Sequence, residues 1–336
     1  MDVKTKILFI IITFLFILIK QGWSQDIHFS SLGFNHAFFN PALTGVMNNT
    51  FRLSTIYRNQ WQTVSPGYNT FFAMVEMQPY LSLDNDKGVG VGLSFTNDVA
   101  GSLSYGERDI ALSASYFFAL DRKNKTYLSF GLQAMRKNWN MNMTNAQFNP
   151  NGIYDDNITY QNLTTYDVSF GSALQHAQDE KHLLHISLAL FHLNTPTLSR
   201  FNDSQTKMHR RLFANASYLF PFKDNDRFSL NPQIAYQHQH NYNEIIFGGD
   251  LVMQLSDAIF VNQILALGLY CRNLESIIIS PKFKFNGFNA GMSYDVNISH
   301  LSKVSKTYGA VELWVSYAFT PLFNRQKQTK IPCSIF

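Results

Sequence analysis

Charge is scarce in this 336-residue chain: Asp, Glu, Lys and Arg make up only 15% of it, against roughly 25% in a soluble domain. Long apolar runs are scarce too. The apolar run at residues 7–19 is short for a spanning helix, which needs about 20 residues, and no other stretch is long and apolar enough. That argues against a membrane protein built of helices. There are two cysteines, Cys271 and Cys333, too few for a disulfide framework. They could pair in an oxidising compartment. Otherwise Cys271 is a small hydrophobe in mid-strand and Cys333 a tail thiol. No Gly-x-Ser-x-Gly elbow occurs, and no His can be assigned to a nucleophile. The expectation is therefore no catalytic residue, no cofactor and no enzyme activity, although barrel-shaped outer-membrane hydrolases exist.

Aromatic side chains are abundant, at 15%, with 30 Phe and 16 Tyr, which a disordered chain would lack. Mean hydropathy is nonetheless slightly negative, so apolar residues are diluted by uncharged polar ones. Strands that alternate apolar-out with polar-in produce that combination in a transmembrane β-barrel.

Residues 1–24 read as a secretory signal. Lys4 and Lys6 precede the apolar run, and Gly22 and Ser24 are the small residues before a cut at Gln25. An uncleaved anchor is the rival reading, and Lys20 and Trp23 leave room for it. Without Lys4, Lys6, Lys20 and Asp2, the 27 basic and 23 acidic residues fall to 24 and 22. A balance of +2 argues against a nucleic-acid partner.

From residue 50 onward, period-two segments alternate with polar turns. Ile110, Leu112, Ala114, Tyr116 and Phe118 share one strand face; Phe288, Ala290, Met292, Tyr294 and Val296 another; Val311, Leu313, Val315, Tyr317 and Phe319 a third. About fourteen such segments start near residues 50, 69, 87, 105, 125, 163, 181, 207, 227, 244, 260, 274, 287 and 308. Each is long enough to cross a bilayer when tilted. An even number lets the sheet close, and lipid tolerates no open edge. The fold expected is all-β: a transmembrane antiparallel β-barrel of about 14 strands with a short non-strand segment before it. A soluble β-sandwich is the rival, but its strands are usually about 5–6 residues long.

The organisation expected is a signal peptide over 1–24, a periplasmic or lumenal segment over 25–49, the barrel over 50–320 and a periplasmic tail over 321–336. Connections alternate between short polar turns, such as 121–124, 178–181 and 223–226, and longer pieces at 59–68, 141–162, 194–206 and 297–306. Barrels have short periplasmic turns and long outer loops, so the long set is expected outside. The connections near 241–243 and 273–274 are its short exceptions.

Other chemistry is thin. Gly88, Gly90 and Gly92 lie within a strand period rather than between strand and helix, so they read as small inward residues and not as a dinucleotide loop. His238 and His240 point to one side, but zinc takes three or four ligands. His182 and His185 face opposite sides. Asp155-Asp156-Asn157 lacks calcium-loop spacing. No metal is expected. Inward faces read as mostly Gly, Ser, Asn and Gln, without an evident charged constriction. Arg58 and Trp61 read as outer-rim anchors, a snorkelling Arg and an aromatic girdle residue, with direct contact to a partner as the alternative.

The motifs Gln25-Asp26-Ile27-His28-Phe29-Ser30, Phe34-Asn35, Asn40-Pro41-Ala42-Leu43-Thr44-Gly45 and Tyr57-Arg58-Asn59-Gln60-Trp61 resemble the PorP/SprF family of Bacteroidetes. Gly90-Val91-Gly92-Leu93 with Asn97-Asp98 and Gly101, Tyr294-Asp295, Glu312-x-x-x-Ser316-Tyr317-x-Phe319 and the Cys333 to Phe336 terminus extend the resemblance over the mature chain. Departures are Ile27-His28 where the family has Pro-Gln, Asn35-His36 in place of a first Asn-Pro, and Ser334-Ile335 before the last residue. The resemblance implies an outer-membrane barrel of type IX secretion and gliding machinery. Its implied partners are outer-membrane lipid, the machinery on the periplasmic side, and a secreted surface or adhesin-like protein. A porin-like channel for small solutes is the alternative.

Overall fold

In the computed structural model the described residues are 26–62, 67–82, 84, 86–101, 105–121, 125–140, 162–179, 181–198, 206–223, 225–255, 263–299, 302 and 307–321. Residues 1–25, most of 141–162 with Asp155 to Asn157, and residues 322–336 with Cys333 and Phe336 lie outside this set.

Fourteen antiparallel strands close into a barrel, each paired with its sequence neighbours and β1 with β14. They are β1 (Phe51–Gln60), β2 (Tyr68–Leu81), β3 (Lys87–Ala100), β4 (Tyr105–Ala119), β5 (Thr126–Asn140), β6 (Leu163–Ala177), β7 (Leu183–Phe191), β8 (Arg211–Phe222), β9 (Asn225–Gln239), β10 (Tyr242–Gln254), β11 (Gln263–Arg272), β12 (Ser276–Phe285), β13 (Phe288–Asn297) and β14 (Tyr308–Phe319).

Period two sets which way each side chain faces. On β4, Ile110, Leu112 and Tyr116 are exposed on the outer surface, while Ala111, Ser113, Ser115 and Phe117 are buried inside. On β14, Leu313, Val315 and Tyr317 face out, and Glu312, Trp314 and Ser316 face in. The outer surface is thus an apolar band, the face a bilayer requires. Where Pro interrupts strands, the ladder yields locally: the register slips between Met77 and Tyr80, around Pro79, and beside Pro221. Proline has no N–H for the ladder, so such irregular positions suit it.

The two ends of the barrel differ. The end where β1 begins and β14 finishes carries mostly tight connections, among them Asn286-Gly287, whose Asn adopts a positive φ as a tight hairpin requires. The other end carries the connections from β5 to β6 and from β7 to β8, the longest in the chain. We call these the turn end and the loop end; by the usual rule the loop end faces outward.

Residues 26–50, the described residues before β1, run inside the barrel. Asp26 donates its backbone N–H to Gln239 at the loop end (3.3 Å), whereas Thr50 accepts from the Gln78 N–H at the turn end (2.8 Å). The segment therefore passes through the lumen lengthwise. It forms one short helix, α1 (His36–Phe39), and a 3-10 turn at Pro41–Leu43. Asn35 caps the first, accepting from the Ala37 N–H (2.8 Å), and Asn40 caps the second, accepting from the Ala42 N–H (2.9 Å). His36 thus follows an N-cap Asn just as Pro41 does. Phe29, Phe34 and Ala37 pack with Ile56, Phe72, Met74 and Trp314 of the wall. Leu32 packs with Phe191, Phe213, Ile246 and Tyr270 on the opposite side.

Candidate functional site: the occupied lumen

Three groups of interactions hold the lumenal segment between Ser30 and Gly45. The first surrounds the Asn40 to Gly45 motif. Asn40 donates its amide to the backbone carbonyls of Ser172 (2.9 Å) and Leu188 (3.1 Å). The Thr44 hydroxyl donates to Ser113 (3.0 Å), and Ser115 donates to the Thr44 carbonyl (2.5 Å). Ala42 is fully buried against Ala173. The wall can approach this closely only where it lacks side chains. A Cβ on Gly131 would collide with the Pro41 backbone, and one on Gly90 with the Thr44 carbonyl. Gly88 and Gly92 also face inward, against Phe117 and Met74.

The second group is centred on Glu76 of β2. Its carboxylate accepts from the Gly45 N–H (3.0 Å), from the Asn35 amide (2.9 Å) and from Arg52 in a two-pronged pair at 2.6 and 2.9 Å. Asn35 also donates to Ser54 (3.1 Å). Glu76 thus ties both caps' neighbourhoods to one strand.

The third group is centred on Ser30. Glu312 accepts from the backbone N–H groups of Ser30 (2.7 Å) and Ser31 (2.9 Å) and from the Ser293 hydroxyl (2.8 Å). Arg58 pairs with Glu312, donates to the Ser30 hydroxyl (2.8 Å) and lies 3.6 Å from Asp295. Arg272 donates to Asp295 (2.8 Å) and to Ser30. Gln60 accepts from two Arg58 nitrogens (3.0 and 3.3 Å).

Two expectations change here. Arg58 is 2% exposed and points into the lumen; it does not snorkel at the rim. An odd–even step separates it from Tyr57, which is exposed and donates to Asn69 (2.8 Å), and β-alternation sends the two to opposite faces. The inward faces are mainly uncharged, as expected, but they also carry a set of charges that the sequence reading passed over. Arg52, Glu76, Asp109, Lys137, Asp167, Asp250, Arg272, Lys282, Asp295 and Glu312 all lie there. No strand contributes more than two and some contribute none, so they form a network only when the sheet closes. Trp61 is partly exposed at the loop end, edge-on to Tyr68.

The remaining motif residues lie at the loop end of β3. Asp98 accepts from Thr70 (2.5 Å), Asn97 accepts from Arg108 (3.1 Å), and Gly101 turns the chain with a positive φ. Asp26 meets His192 there, and His192 also contacts Asp167 (2.8 Å). Arg211 lies 3.4 Å from Asp26. Burial alone would raise the Asp26 carboxyl, but His192 and Arg211 hold it well below the usual carboxylate range. Burial disfavours the His192 imidazolium, but Asp26 and Asp167 outweigh that and hold its pKa above the ordinary value.

Motifs scattered over the sequence thus meet: Ser30, Arg58, Asp295 and Glu312 in one knot, Asn35, Gly45 and Glu76 in another. A sequence profile described as "Type IX secretion system membrane protein PorP/SprF" matches residues 22–317. The chain belongs to the PorP/SprF family. This PorP/SprF protein is an outer-membrane β-barrel of the type IX secretion apparatus and associates with that machinery. The family is described as a membrane protein of a secretion system and not as an enzyme.

Among solved structures it is similar to the toluene transporter TbuX of Ralstonia pickettii, at 12% identity over 84% of this chain and 93% of that one, TM-score 0.49. A FadL homologue of Pseudomonas aeruginosa is similar at 10% identity over 84% and 94%, TM-score 0.46. BamA of Haemophilus ducreyi is similar at 9% over 81% and 70%, TM-score 0.44. No curated protein sequence matches the chain.

Among the described residues no three His, Cys, Asp or Glu side chains converge as a metal site. His238 bonds to Asn243 (2.8 Å), while His240 stacks on His209 at 3.9 Å between ring centroids. His182 bonds to Asp179 in its turn, whereas His185 is buried beside His36. Cys271 is half-buried on β11.

Proposed function

We propose that this PorP/SprF protein supports the secretion or surface attachment of a partner protein, with its turn end toward the type IX machinery and its loop end toward the partner. On this reading it is exported by the signal peptide over 1–24, has no enzymatic activity and no cofactor, and contributes to gliding where the machinery does. The tail over 321–336 would face the periplasm.

The observation that carries the reading is the occupied lumen. A solute channel needs a continuous wet path, and here a segment of the chain itself fills the barrel along its length, anchored at Asn40, Glu76 and Glu312. An occupied barrel is suited to presenting fixed surfaces at its two ends, where loops on a rigid scaffold carry recognition. The loop over 141–162 is the longest candidate for partner contact. Shortening it should impair the partner without unfolding the barrel, because closure entropy changes slowly with loop length.

Deleting the gene should abolish surface display of one partner protein, read by surface proteomics, and leave small-solute uptake unchanged. Unchanged surface proteins with lost uptake of a solute would replace this reading with the channel.

A further inference from the structure

Charge is nearly absent from the outside of the barrel wall. Among the described residues, the outward strand faces of the loop-end half carry Asp, Glu, Lys or Arg at two positions, Arg108 of β4 and Arg136 of β5. The two are side by side. The register sets Arg108 opposite Asn138 and Arg136 opposite Ile110, so the arginines are diagonal neighbours on one face, about 7–8 Å apart at the backbone. Alternation separates them from the acids of the same strands, which point into the lumen. There Lys137 takes Glu107 and Asp109, and His192 takes Asp167.

Neither arginine meets a carboxylate. Arg108 donates one N–H to the neutral Asn97 (3.1 Å), and Arg136 has no partner among the described residues. Tyr166, opposite Arg136 on β6, is 68% exposed. Directly toward the turn end the same face becomes apolar, with Leu112, Leu132 and Val168 all exposed. From Leu128, the first apolar outward residue of β5, to Arg136 is roughly 20 Å along the membrane normal for a strand tilted by about 40°. The apolar band of such a barrel is about 25 Å tall. Both arginines therefore sit at the band's loop-end edge, where hydrocarbon gives way to headgroups.

Two like charges at that depth repel each other, and water reaches them only by snorkelling. One anion shared between them relieves both. A phosphate does so best, because each guanidinium can give it two parallel N–H donors. A free phosphate would leave the apolar wall below unused, whereas a lipid covers it with its chains. We propose that the outer face of β4 and β5 is a binding site for a phosphate-bearing membrane lipid. Arg108 and Arg136 share its phosphate, the Tyr166 hydroxyl is a further donor, and its acyl chains lie along Leu112, Leu132 and Val168. The inference goes beyond the partner reading and does not depend on it.

The test is native mass spectrometry of the purified full-length protein released from detergent. The probes are diphosphoryl lipid A, the same lipid stripped of its phosphates, and inorganic phosphate. A saturable lipid A adduct is expected, at least tenfold tighter than the stripped lipid, with no adduct of inorganic phosphate. Arg108→Gln and Arg136→Gln should each weaken lipid A binding at least fivefold. Lys87→Gln, which removes a charge at the turn end, should leave it unchanged. Both arginines are on the surface, so heat-modifiable gel migration should show folded barrels in every case. Equal binding of the stripped lipid, or binding indifferent to both arginines, would overturn the proposal. So would an equal loss from Lys87→Gln. Inorganic phosphate bound as tightly as lipid A would replace the lipid with a simple anion and overturn it as well.

Discussion

Arg58 shows how one side chain joins distant parts of the chain. Its head pairs with Glu312, 254 positions away, and both ends of the pair are buried. Removing one partner of a buried ion pair leaves the other charge uncompensated, which typically costs about 3–5 kcal/mol. Arg58→Ala should therefore destabilise the barrel by about that amount, read as a lowered midpoint of heat-modifiable migration or urea unfolding in detergent. Replacing both partners, Arg58→Met with Glu312→Leu, should recover much of the loss, because neither charge is then stranded. A loss of a few tenths of a kcal/mol for Arg58→Ala would return this residue to the exposed rim. Its inward placement was open to sequence reasoning through alternation with Tyr57; its partners were not, because Ser30, Asp295 and Glu312 share no local pattern with it.

At the scale of the strand, two-residue alternation decides most of what is seen. Leu313 sits near the middle of β14 on the exposed face, between the buried Glu312 and Trp314. An arginine there would lie in hydrocarbon, so Leu313→Arg should cost about 2–4 kcal/mol in a reversible folding assay in lipid. Leu313→Met should be close to neutral, and equal tolerance of both would contradict the strand phase. The expected strand starts match the observed ones closely, from 50 against Phe51 to 308 against Tyr308. They drift where the flanks keep the same alternation. Before β8, for example, Lys207 bridges Thr197 ahead of the ladder that begins at Arg211. The lumenal segment had no such signal. Its elements span four and three residues, too short to show a period, and its order comes from caps and from the wall around it.

At the scale of the molecule, the lumenal segment is held at the loop end by groups that titrate. His192 has a raised pKa, so its contribution is complete below the ordinary histidine value and is lost as pH rises through the raised one. Asp26 has a lowered pKa, so its contribution is present above the ordinary aspartate value and is lost as pH falls toward the lowered one. The end of the segment should be held most firmly between the ordinary carboxylate and histidine ranges and loosen on either side. Hydrogen exchange of the amides of residues 26–31, corrected for intrinsic rates, should rise at both limits. His192→Phe should remove the alkaline dependence; a wild-type profile flat in pH would rule out this tether.

By itself the sequence determined the class of fold, a strand number of about fourteen and which residues of a strand share a face, because those follow from local alternation and from what lipid tolerates. Its motifs also determined the family. Only the closed barrel decided what the motifs are for. Charged residues, no more than two on any strand, become a network when β1 meets β14. Gly90, which reads as a small inward residue, becomes the place where Thr44 lies against the wall, and Gly131 does the same for Pro41. Long-range pairing is set by closure of the whole sheet around the segment, and no local stretch of sequence carries that information.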